Sequence, residues 1–191
     1  GSLALGFGAA GASASIFDAD TTTEAFIAGD GSGGSASTIA VDGVLTVKAY
    51  ADEVVDVTAV AGAGSVFASL GLQYAEVDVR SSQKAFIGAG ANVLLADEVN
   101  VLASHDRDLD ANSTGGGVSA GVAAGVSTAK VIAGGRVNAV IGVNTLLGEV
   151  DDQDNVVGRV GNVNVNATSN VSNATTVANA AAGGTLAGLF G

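Results

Sequence analysis

Apolar and charged residues interleave strictly in Ala75-Glu76-Val77-Asp78-Val79-Arg80. A period of two places Val77 and Val79 on one face and Glu76, Asp78 and Arg80 on the other, which predicts a half-buried strand. Asn162-Val163-Asn164-Val165-Asn166 reads the same way, with Asn outward. Val55-Asp56-Val57-Thr58-Ala59 and Leu109-Asp110-Ala111-Asn112-Ser113 alternate more weakly. No apolar stripe at helical spacing survives the frequent Gly and the abundant Val and Thr. Val177 to Ala182 has helical propensity, but the equivalent stretches earlier in the chain are Gly-rich, which predicts a strand there too.

Those equivalences come from internal repetition. Ala25-Phe26-Ile27 returns as Ala85-Phe86-Ile87 and as Ala139-Val140-Ile141. Val47-Lys48-Ala49 returns as Val101-Leu102-Ala103 and as Val165-Asn166-Ala167. Two independent landmarks in step are the signature of a repeat architecture. The implied units are 3–59, 60–114 and 115–176, with a fourth starting at 177. The ends also match: Gly1-Ser2-Leu3-Ala4-Leu5-Gly6-Phe7-Gly8 aligns with Gly184-Thr185-Leu186-Ala187-Gly188-Leu189-Phe190-Gly191. That match places both ends at one phase of the repeat, as expected of a stretch of a longer array.

Composition narrows the fold. With 29 Gly, no Pro, Cys, Met or Trp, and only 4% aromatics, the chain lacks the bulky side chains that fill a globular core. Ala, Val, Ile, Ser and Gly must pack in thin layers. The fold expected is all-β: one continuous parallel β-helix (β-solenoid) over 1–191, built from about three repeats of 54–64 residues. Each repeat divides into about three coils of ~20 residues. Phe26, Ile27, Phe86, Ile87, Val140 and Ile141 are expected inward or under a neighbouring layer. Gly and Asn suit the corners, where left-handed backbone is required. The late Asn residues suit amide ladders.

The net charge is −12, with only seven Lys and Arg. Phosphate binding needs clustered bases, so nucleic acid is not an expected partner. No apolar run reaches the ~18 residues of a membrane span.

The Gly/Ala stretch, alternating strand, Ala85-Phe86-Ile87-Gly88-Ala89-Gly90-Ala91-Asn92-Val93 and Val99-Asn100-Val101-Leu102-Ala103-Ser104 together resemble the repeats of large secreted bacterial exoproteins of the filamentous-haemagglutinin and filamentous-adhesin type. The resemblance implies secretion to the cell surface, a β-helical shaft, and adhesion or matrix building. Copies of the chain or adjacent repeats are then the expected partners, with surface glycans as a target. It carries over no functional residue, and the chain has no Gly-Gly-x-Gly-x-Asp calcium nonapeptide.

Three clusters are candidates for chemistry. His105-Asp106-Arg107-Asp108-Leu109-Asp110 contains the only His. As a strand it aligns Asp106, Asp108 and Asp110 on one face, an acid/base or metal group for an enzyme acting on acidic polysaccharide. The alternative is an outward charged strand. Asp151, Asp152 and Asp154 resemble part of a calcium loop but lack the Gly and the distal Glu of an EF-hand. They are the calcium candidates, and no other cofactor is expected. Gly29-Asp30-Gly31-Ser32-Gly33-Gly34 lacks the Lys-Ser/Thr of a phosphate loop. No cluster recurs from repeat to repeat. The reading is therefore a non-enzymatic structural segment, against a polysaccharide-active enzyme or a calcium-dependent matrix protein.

Overall fold

A computed structural model describes residues 2–30, 37–151, 156–184 and 186–190. The elements are strands throughout: β1 (Ser2–Ala19), β2 (Thr22–Ile27), β3 (Thr38–Ala40), β4 (Val44–Val79), β5 (Ser82–Ile87), β6 (Asn92–Ser119), β7 (Val122–Ala133), β8 (Val137–Ile141), β9 (Leu146–Leu147), β10 (Glu149–Val150), β11 (Val156–Gly158), β12 (Val160–Gly183) and β13 (Leu186–Phe190). No described residue is helical, Val177 to Ala182 included. Among the described residues no helix is therefore long and apolar enough to cross a membrane.

Among the described residues pairing is parallel, except for the short antiparallel pair β10–β11. Each strand lies on its own counterpart in the next repeat. Ala25 pairs with Ala85, which pairs with Ala139. Val47 pairs with Val101, which pairs with Val165. Both landmarks thus mark true register. The division of each repeat into three coils does not hold. A strand meets its equivalent only after a whole repeat, so one repeat makes one long pass.

Each pass is flattened. β4 runs out along β6 as far as Ser65↔Ser119, then continues along β7 from Ala68↔Val122. Its two halves face each other across the interior, for Val57 and Ala59 pack in one apolar cluster with Ala75, Val77 and Val79. Gln73 Nε2 donates to the Ala61 carbonyl at 3.1 Å, and in the next pass Ser127 Oγ donates to the Ser113 carbonyl at 2.8 Å. We call the bend near Phe67 the tip. There the halves approach so closely that a Cβ on Gly71 would sit 2.5 Å from the Gly116 carbonyl oxygen. On Gly11 it would sit 2.3 Å from that of Gly62. Only bare backbone fits, which explains the Gly/Ala stretch of each repeat.

The other end of the pass holds a second apolar cluster, with Val47, Ala85, Ile87, Val93, Val99 and Val101 at its centre. Ile27 and Ile141 pack against it in the flanking passes. The aromatic partner in that landmark points the other way. Phe26 and Val140 are exposed, and Phe26 stacks on Phe86 with ring centroids 5.2 Å apart. The thin interior takes the β-branched Ile and leaves the larger ring outside, where it gains a stacking partner. Gly90 (φ 76°) and Asn144 (φ 57°) turn the corner after the Ile in successive passes, as left-handed backbone demands.

The matching ends are not at one phase. Register puts Leu186 on Val122, Val122 on Ala68 and Ala68 on Gly8, whereas the sequence match puts Gly8 with Gly191. The shifts at Gly6/Gly8 and Val171/Asn173 break the simple spacing. Register also places the fourth unit differently: Ala180, not Val177, lies on Gly115 and through it on Ala61.

Candidate functional site

Parity along β6 decides where its polar residues go. Val99, Val101, Ala103, Leu109 and Ala111 are all buried on the inner face. His105 and Arg107 share that parity, so the strand carries them inside. His105 is fully buried and Arg107 is 5% exposed. Asp106, Asp108 and Asp110 sit on the opposite, outer face. The strand thus separates the only His from the three Asp that sequence places beside it.

Inside, His105 joins two charged groups. Arg107 Nε donates to His105 Nδ1 at 3.0 Å, and a terminal guanidinium nitrogen lies 2.6 Å from the same atom. Nδ1 therefore accepts. Arg107 Nε also lies 3.3 Å from Nε2, which is 2.8 Å from Glu53 Oε2. Glu53 comes from β4, one pass away, where it pairs in register with Arg107. The row is guanidinium, imidazole, carboxylate. Its positive and negative ends cancel, which is what allows it inside. Ser172 Oγ of the following pass donates to the Arg107 carbonyl at 2.9 Å.

The row interrupts the core. On β6 it falls between Ala103 of one apolar cluster and Leu109 of the other. On the facing side, buried Ser81 and Gln83 fall between Val79 and Ala85 of the same two clusters. Thr21 Oγ1 donates to Ser81 Oγ at 2.9 Å, while both amide atoms of Gln83 lack a protein partner. Sequence reading missed Glu53 and the inward direction of His105 and Arg107. The cue was available: all three keep the parity of the apolar residues around them. In chemical terms this is a charge-balanced polar row whose carboxylate end, 19% exposed in its side chain, reaches solvent.

The outer face carries a separate polar ladder. Asp52 lies on Asp106 and Asp56 on Asp110. Asn173 Nδ2 of the next pass donates to Asp108 at 3.1 Å and to Asp110 at 2.9 Å. One late Asn therefore spaces like charges by straddling two of them. On β4 and β7, Glu76 accepts from Lys130 at 2.7 Å and from the Tyr74 hydroxyl. The Lys130 hydrogen bond, then that of Tyr74, holds the Glu76 carboxyl below its ordinary range. The same bonds hold Lys130 and Tyr74 above theirs.

Of the calcium candidates, Asp152 and Asp154 lie outside the described residues, as do Gly31 to Gly34 of the glycine-rich segment. Asp151 is described and half-buried. Among the described residues no group of three His, Asp or Glu converges on a metal-sized site.

The surface that recurs in every pass is the ladder itself. In the last pass Val163 and Val165 lie on Val99 and Val101 of β6. Val99 and Val101 are fully buried, whereas Val163 and Val165 are each 45% exposed, on a strand that pairs along one side among the described residues. No protein-family model, curated protein or solved structure matches the chain.

Proposed function

We propose that this chain is a stretch of a β-solenoid shaft, a non-enzymatic structural segment of a secreted or cell-surface filament or adhesin. It stacks on copies of itself or on adjacent repeats. The observation that supports this is the open inner ladder. Val163 and Val165 continue a buried column that stops half-covered, and β12 offers a row of backbone donors and acceptors. A further pass in the same register covers both, as each existing pass covers its neighbour. Uncovered edges of this kind template addition unless charge or a cap blocks them.

Solution assembly tests the proposal. Sedimentation and electron microscopy should show concentration-dependent, end-to-end growth into unbranched fibres. Val165→Lys places a charge on the inner ladder at the open edge and should arrest growth without changing the circular dichroism. A wild-type chain that never elongates would sink the reading, as would growth indifferent to Val165→Lys.

A further inference from the structure

The outer face of the tip carries a row of alternating size. Leu5, Gly64, Val118 and Gly183 occupy one register position in four successive passes. Leu5 and Val118 stand 78% and 66% exposed. Gly64 and Gly183 leave gaps between and beyond them. All four line an open apolar groove of about 890 Å3. No charge lies along this part of the chain: residues 1–17, 57–75, 111–129 and 160–191 contain no Asp, Glu, Lys, Arg or His.

We infer that this face docks against the same face of a second copy, side by side and independently of end-to-end stacking. A twofold axis parallel to the strands, between the second and third passes, reverses the order of the row. Leu5 then meets Gly183 of the second copy, and Val118 meets Gly64 of the second copy. The row reads large, small, large, small, so it is its own complement under that rotation. An isologous contact requires this of a surface. Close approach suits these strands, which already pack backbone to backbone inside the molecule. A lipid surface also accepts an uncharged apolar face. The alternation of knobs and gaps favours the second copy, because a fluid acyl layer has no complementary spacing to match.

The contact is small. Four strands about 4.8 Å apart and about eight residues long give a face of about 500 Å2 per copy. That is the low end for a specific interface, so the complex is weak and exchanges readily.

The chain has no cysteine, which makes a single-thiol probe clean. Val118→Cys with a short bismaleimide should give a covalent dimer. Asp42→Cys, exposed just before β4, should not. In sedimentation, Gly64→Leu fills a gap and Val118→Gly removes a knob. Each should weaken the dimer about tenfold or more. The double variant Gly64→Leu/Val118→Gly reads large, large, small, small, which is again self-complementary, and should recover the dimer. Val165→Lys, which targets end-to-end growth, should leave it intact. Cross-linking of Val118→Cys no better than Asp42→Cys overturns the inference. So does failure of the double variant to recover, or binding to phosphatidylcholine vesicles with no dimer.

Discussion

Gly71→Ala tests the central packing feature, the backbone-to-backbone tip. In an ordinary strand this change is favourable, because Gly costs about 0.5–1 kcal/mol relative to Ala in chain entropy. At Gly71 the new methyl would meet the Gly116 carbonyl oxygen at 2.5 Å and its carbon at 2.8 Å. Neither atom can rotate away, since both belong to a backbone paired on both sides, with Gly62 and Ala181. The halves of the pass must separate by roughly an ångström, an overpacking cost of about 1–3 kcal/mol. The net expectation is a loss of about 1–2 kcal/mol after the entropic gain. Gly8→Ala is the control. It sits on β1, in the stretch that pairs with this part of β4, with nothing within 4 Å of the new atom, so it should gain a few tenths to about 1 kcal/mol. Urea unfolding measures both by midpoint at constant slope. If Gly71→Ala proves as stable as Gly8→Ala, the two halves do not approach as described, and the explanation of the Gly/Ala stretches fails.

Ile87→Ala should cost about 2–5 kcal/mol, as a fully buried side chain, whereas Phe86→Ala, though larger, should cost about 1 kcal/mol for its stack and its Lys84 contact. Equal losses in denaturation would mean that the face assignment is wrong. Arg107→Ala leaves His105 and Glu53 without their cationic partner and should cost about 3 kcal/mol, while replacing all three residues by apolar ones should recover most of it. Loss of stability in the triple variant equal to that in the single would show that the polar row is itself needed for folding. The Glu76–Lys130–Tyr74 group sets a pH window. Glu76 has a lowered pKa, so its contribution is present above the ordinary carboxylate range and fades as pH falls through about 4 and below. Lys130 and Tyr74 have raised values, so theirs is full below about pH 10 and fades as pH rises beyond it. Glu76→Gln should flatten part of the acid limb in thermal melts across pH, and an unchanged limb would count against the assignment.

Much of this was legible in the chain. Strict alternation in Ala75 to Arg80 carries its own label, because the charged residues name the outer face. The two repeated landmarks named the strands that pair, since in-register stacking rewards like residues at like positions. Ala-Phe-Ile carries no such label. Both faces are apolar, and period two says only that Phe and Ile part company. Which one enters was decided by the width of the interior, a property of two strand halves brought together over many residues. The same holds for His105 and Arg107. Their parity was written in β6, but a buried Arg is affordable only because Glu53 arrives from another pass to balance it. The length of a pass was likewise outside the reach of local pattern. Turn signals mark where a chain bends, and only the pairing of whole repeats shows where it first meets itself.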